Sequence, residues 1–150
     1  MENKDAARVM GIMELILKDQ NGAIKERRVE KNLIVNNGNF GIAAQLLATP
    51  AYGVPTHLGI GTGATAPAAG DTALGTETGT RVAFSSKTRA TNVVTMVGTF
   101  AAGNGTAAIT EAGIFNASSS GSMYSRVTFA VINKGAADSL QLTWTYTIGG

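Results

Sequence analysis

The sequence predicts a mainly β protein: an antiparallel β-sandwich, jelly-roll-like, with one short α-helix near residues 37–48 and an N-terminal β-hairpin. Three observations lead there. From Pro55 onward apolar and polar residues alternate in short runs separated by Gly, Asn and Ser clusters, the period-two pattern of half-buried strands. One segment alone carries the helical period. Composition agrees, because 19 glycines and only 15% charged residues suit strands joined by tight turns. So little charge also fits an exterior covered in part by copies of the chain or by a partner. At 150 residues the chain is one domain, large enough to bury a core without metal or disulfide support.

Taken in order, Val9 to Leu17 is an apolar run interrupted by Glu14, followed by Asp19-Gln20-Asn21-Gly22. Asn-Gly is a strong hairpin signal, since both turn positions take positive φ. Ala23 to Glu30 returns as a charged strand. Residues 1–31 hold 13 of the 22 Asp, Glu, Lys and Arg residues, seven basic and six acidic. They read as a charged, partner-facing hairpin or arm, and residues 32–150 as the helix-plus-sandwich body. After Asn32-Leu33-Ile34-Val35, asparagines precede Phe40, Ala43, Ala44 and Leu47 at helical spacing, which predicts a capped amphipathic helix ended by Thr49-Pro50. The strands expected next are Thr56–Gly61, Thr80–Arg89, Val93–Phe100, Ala107–Ile114, Met123–Ile132 and Ser139–Ile148. The last is the clearest, with Leu140, Leu142, Trp144, Tyr146 and Ile148 on one face and Gln141, Thr143, Thr145 and Thr147 on the other. Burying Trp144 contributes on the order of 2–3 kcal/mol.

Charge and residue types narrow the function. A net charge of +2 is too small to imply a nucleic-acid partner. With no cysteine there is no thiol nucleophile, disulfide framework or thiolate zinc site. No apolar run reaches the roughly 18 residues of a membrane span, so no membrane partner is expected. The charged Met1–Asp5 start lacks a signal peptide's apolar run, which predicts synthesis in a cytoplasm.

Several motifs invite a chemical reading. Gly59-Ile60-Gly61-Thr62-Gly63-Ala64 matches a phosphate-loop pattern, but Pro67 and Gly70 follow where a helix is required, so the glycines read as structural punctuation. Asp19, Asn21 and Glu26 could be taken for calcium ligands, yet Gly22 comes too early for that loop. The Lys25, Arg27, Arg28 cluster is interleaved with Glu26 and Glu30 and lacks an aromatic to stack a base. His57, the single histidine, has no second histidine for a metal and no nucleophile elbow for a relay with Asp71 and a serine. Glu111 is the carboxylate expected to be semi-buried. As an acid it would need a second carboxylate, Glu77, Asp71 or Asp138. The favoured reading is an ion pair with Arg81 or Arg126. Asn104-Gly105-Thr106 and Asn116-Ala117-Ser118 match glycosylation acceptors and read as turns. No catalytic, cofactor-binding or metal-binding residue is therefore assigned.

Thr56-His57-Leu58-Gly59-Ile60-Gly61-Thr62-Gly63, then Pro67, Gly70-Asp71-Thr72-Ala73-Leu74, Glu77 and Arg81, resembles a run in tail-fibre and collar-type domains of tailed bacteriophages. Ala108 to Ala117 and Met123 to Phe129 resemble the second block of that family, and Glu30 to Val35 with the helix after it resembles the lead-in of small phage virion proteins. The resemblance covers most of residues 56–148. It implies a non-enzymatic, symmetric virion component, often trimeric, made in the host bacterial cytoplasm and bound to other virion proteins. It transfers no catalytic residue. Because the sequence closes on Gly149-Gly150 directly after a strand, a compact tail or fibre-base component is expected rather than a whole fibre. The alternatives are a capsid decoration, or cement, protein and, from another class, a carbohydrate-binding β-sandwich module.

Overall fold

The computed structural model describes residues 8–47 and 52–149. Nine strands and one helix follow the chain: β1 (Val9–Lys18), β2 (Ile24–Ile34), α1 (Asn36–Ala44), β3 (His57–Gly61), β4 (Glu77–Ala83), β5 (Ser86–Ala90), β6 (Val93–Phe100), β7 (Ala107–Phe115), β8 (Met123–Lys134) and β9 (Ser139–Ile148). The strands form one antiparallel sheet in the order β4-β3-β7-β8-β2-β1-β9-β6-β5, curled into a half-barrel of sandwich-like build. The long-range pairs β1–β9, β2–β8 and β3–β7 are nested, which is how a chain of this order rolls up. β6 and β9 have the bounds their alternation predicts. Leu140, Leu142, Trp144 and Tyr146 are buried on one face of β9, although the Trp144 Nε1 has no hydrogen-bond partner among the described residues.

Two corners produce the curl. β2 pairs with β1 along nearly its whole length but with β8 only at Leu33↔Arg126 and Ile34↔Ser125. Past that point the two strands diverge, and Arg28 reaches across to the carbonyls of Ala130 and Val131. The second corner replaces the single strand expected over Thr80–Arg89. The chain bends at Phe84-Ser85: Phe84 N–H donates to Thr56 O, beside β3, and Ser85 N–H donates to Val97 O, on β6. One extended segment thus serves both free edges of the sheet, a corner made by a strand that changes sheets. A side chain on Gly98 would strike Leu58 across the fold, so the two halves pack face to face. The main core runs between them, including Met13, Leu15, Leu58, Ile60, Met96, Phe100, Ile132, Leu142 and Trp144, and a smaller cluster gathers Val35, Leu74, Phe115 and Met123.

The structure corrects three further sequence-based expectations. The Asn21-Gly22 turn is not a two-residue one: Lys18 pairs with Ile24, the register shifts at Leu17/Lys18, and Gly22 takes positive φ while Asn21 does not. The Asp19 carboxylate draws the loop together by accepting from the amides of Asn21 and Ala23, an Asx turn. The helix spans Asn36–Ala44 rather than 37–48, without a side-chain cap, and residue 48 and Thr49-Pro50 lie outside the described residues. Its buried face shares Ala44 alone with the set the apolar spacing picks out. Gly38, Gly41 and Ala44 face inward, whereas Phe40 and Leu47 are exposed. A Cβ at Gly38 would land on the Tyr124 backbone oxygen and one at Gly41 on the Tyr124 ring and hydroxyl, so close approach to β8 selects the small residues. The third correction concerns the arm expected over residues 1–31, of which 1–7 lie outside the described residues: its hairpin is no separable appendage, because β1 and β2 are the middle strands of the sheet and Met13, Leu15 and Leu17 are core.

Deleting residues 1–31 removes those three core side chains, a loss of about 5 kcal/mol or more that rivals the stability of a whole domain. The 32–150 fragment is expected to show no cooperative unfolding by circular dichroism, and a fragment with a sharp thermal transition would contradict the central placement of β1. Gly41→Val should cost about 1–3 kcal/mol through overpacking against Tyr124, measured by chemical denaturation.

Candidate functional site

Strand β7 carries Glu111 into the fold opposite Gly61 of β3 and Thr128 of β8, and the carboxylate is fully buried. It lies flat against the glycine run. Glu111 Oε1 accepts from Gly63 N–H at 2.9 Å and Thr76 N–H at 2.7 Å, and Oε2 accepts from Gly75 N–H at 2.9 Å. Side chains on Gly61 or Gly63 would occupy the carboxylate's place. One amide of the phosphate-like motif, Gly63 N–H, therefore does hold an anion, but one from the same chain and shared with the amides of Gly75 and Thr76, and β3 leads into an irregular loop rather than a helix.

Arg126 of β8 neutralises the group. Its guanidinium lies 2.9 Å from Glu111 Oε2, donates to Asp71 Oδ2 at 2.8 Å and to Thr65 O at 3.0 Å, and is itself 3% exposed. The ion pair expected for Glu111 is thus made with Arg126 and not with Arg81. Burial opposes the charge on Glu111 most strongly. The amides of Thr76 and Gly75, the Arg126 guanidinium and the Gly63 amide outweigh it and hold the carboxyl below its usual range. Asp71 is lowered chiefly by the Ala68 amide, against some burial, with Arg126 adding to the effect. For Arg126 burial is again the largest influence, overcome by Asp71 and Glu111, which raise it. A carboxylate this saturated has no lone pair directed at a substrate. The arrangement pins the long 62–76 connection onto β7 and β8.

The other singled-out residues are dispersed and engaged. His57 sits at the start of β3 with Nδ1 2.8 Å from Thr56 Oγ1, and the Asp71 carboxylate is bound to Ala68 N–H and Arg126, so the relay with His57 is not assembled. Arg81 clasps Glu77 through two bonds of 2.6 and 3.0 Å, lies over the Phe115 ring, and donates to Ala117 O and Ser120 O. It anchors the serine turn. Asp138 is lowered mainly by its hydrogen bond from Lys25 and then by the Gly135 amide. Lys134, lowered by burial, donates to the carbonyls of Ala101 and Asp138. The basic cluster of β2 is neutralised pair by pair: Lys25 with Asp138, Arg27 with Glu14, Arg28 with Glu26. The calcium reading of Asp19, Asn21 and Glu26 fails for the same reason, as Asp19 serves the turn and Glu26 serves Arg28. Among the described residues no three His, Asp or Glu side chains gather as a metal site. Asn104 and Asn116 lie in turns as expected, with their amides bonded to Thr80 and to Tyr52 and Ser122.

Two features escaped the sequence. One is the Asp71 arm of the Arg126 cluster, whose partners are 55 residues apart with no local pattern to link them. The other is an apolar pocket of about 640 Å³ between α1, the 54–55 segment and strands β5, β6 and β9. Compared with protein-family models, characterised proteins and solved structures, the chain matches none.

Glu111→Gln leaves Arg126 buried with half its charge partners, and removing one member of a buried pair costs about 3 kcal/mol. The pH dependence has a definite sign. The folded-state values of Glu111 and Asp71 are lowered, so their stabilisation is complete above the unfolded-state values and is lost as pH falls through the folded ones. The thermal midpoint should hold steady down to about pH 5 and drop below about pH 4. Glu111→Gln should show a lower midpoint with a shallower acid drop. An unchanged acid limb would remove Glu111 from this account.

Proposed function

We propose that this chain is a non-enzymatic structural component of a tailed-phage virion, a tail or fibre-base protein acting through symmetric contacts with copies of itself and with other virion proteins. Beside the sequence resemblance, the reading is carried by one surface. The outer face of the β2-β1-β9-β6 part of the sheet is covered by no other described element. On it Met10, Ile12, Val29 and Leu33 stand exposed on β1 and β2, next to Thr143, Thr145 and Thr147 of β9 and Val93, Thr95 and Val97 of β6. The Glu14–Arg27 pair is internal to it. Lys31, opposite Ile12, adds a charge to this face, but the β-branched and aliphatic side chains that make up most of it are suited to repeated protein contact and are poor as a free surface. Modest contacts of this kind, multiplied by symmetry, stabilise an assembly because they form only in the assembled state.

A capsid decoration role draws on the same face and differs only in its partner, so electron microscopy of particles separates tail from head. The carbohydrate-binding reading has less support. Sugars stack on exposed aromatic rings, and of nine aromatic residues Phe100, Phe115, Tyr124, Phe129, Trp144 and Tyr146 are buried. The saturated Glu111 likewise offers an enzyme reading no working acid.

Native mass measurement of the purified chain is expected to give a trimer, and Ile12→Lys with Val29→Glu should yield a folded monomer. A wild-type chain that stays monomeric at every concentration and is missing from purified particles would end this reading.

A further inference from the structure

The core of the half-barrel continues, at the end capped by α1, into the pocket of about 640 Å³, within the range of small-molecule sites. Its walls are apolar, formed by Ile42 of α1, Val94 and Met96 of β6 and Tyr146 of β9. Its charges are of one sign. Lys87 and Arg89 on the edge strand β5 stand opposite Met96 and Val94, hence on the pocket side of the sheet, while among the described residues no carboxylate lines the site. Among the described residues neither cation has an acidic partner: Lys87 Nζ donates to Pro55 O and Arg89 Nη1 to Thr91 O. The pocket's own polar neighbours are occupied, as Tyr146 shares a hydrogen bond with Ser125 and Tyr124 donates to Gly53 O. An occupant therefore has to bring an apolar body and a negative head.

A second copy of the chain meets that demand badly. Bringing two such mouths together about a twofold axis would set four cations face to face with no acid between them. We propose that this pocket is a binding site for an apolar carboxylate, its hydrocarbon part against Ile42, Met96 and Tyr146 and its head group between Lys87 and Arg89. Burial of the tail supplies most of the affinity, and the two cations select the sign of the head. Inward-pointing charges on an edge strand also discourage strand addition. That role alone predicts no affinity for an apolar anion.

Calorimetric titration of the full chain with decanoate and, separately, with decylammonium tests this. Decanoate is expected to saturate a single site, and decylammonium to bind at least about tenfold more weakly. Lys87→Glu with Arg89→Glu should reverse that order. Ala43→Trp, at an exposed helix position on the pocket wall, should abolish both. Thermal unfolding checks that each variant is folded, and the charge-reversed chain carries the test if Ala43→Trp is not. Absence of saturable decanoate binding, equal affinity for the two head groups, or undiminished binding to folded Ala43→Trp would each overturn the assignment.

Discussion

Arg126 occupies the place on which the rest of the fold turns. Its backbone pairs with Leu33 at the short seam where β2 meets β8 and, on the other side, with Gly113 of β7. Its side chain runs to Glu111, Asp71 and Thr65. One residue thus joins the two halves of the sheet through its main chain and fastens the long connection after β3 through its guanidinium. A buried ion pair in apolar surroundings is costly, because the desolvation of two charges rivals their attraction. What tips the balance is the number of donors. Three amides and the arginine complete the Glu111 carboxylate, so no buried charge is left partly solvated.

The same fact explains the glycine run. A loop whose amides converge on an anion looks alike whether the anion is a phosphate or a carboxylate, since both need bare backbone and close approach. The difference lies in where the anion comes from. In this chain it arrives on β7, 48 residues beyond Gly63, and seals the loop from within. A site that would be open to a ligand in a nucleotide enzyme becomes part of the interior.

With the ionic cluster closed, chemistry and contact separate in space. Lys25, Arg27 and Arg28 of β2 are taken up by carboxylates of the turn before β9, of β1 and of β2 itself, and Arg28 also reaches the neighbouring β8 backbone. The outer face of the central strands carries mostly threonines and aliphatic side chains around the Glu14–Arg27 pair and Lys31, and the apolar mouth beneath α1 carries two cations. The assembly proposal rests on the first of these surfaces and the ligand proposal on the second.

What the sequence alone determined is whatever repeats locally. Period two marked β6 and β9 to the residue, because burying one face of a pleated strand forces alternate positions to differ. It also assigned Glu111 an arginine partner, since a lone carboxylate among apolar neighbours needs one. Other features depend on contacts between distant parts of the chain. Phe84-Ser85 carries no glycine or proline to mark a bend, so only tertiary packing reveals the corner. The helix was assigned the wrong inner face because hydrophobic spacing assumes that burial follows side-chain size, whereas here Tyr124 comes so close that only glycine and alanine fit. The charged hairpin looked peripheral for a related reason: charge describes the exposed flank of β2, while its partner β1 supplies the core. Position in the sheet was decided by β8 and β9, more than ninety residues further along the chain.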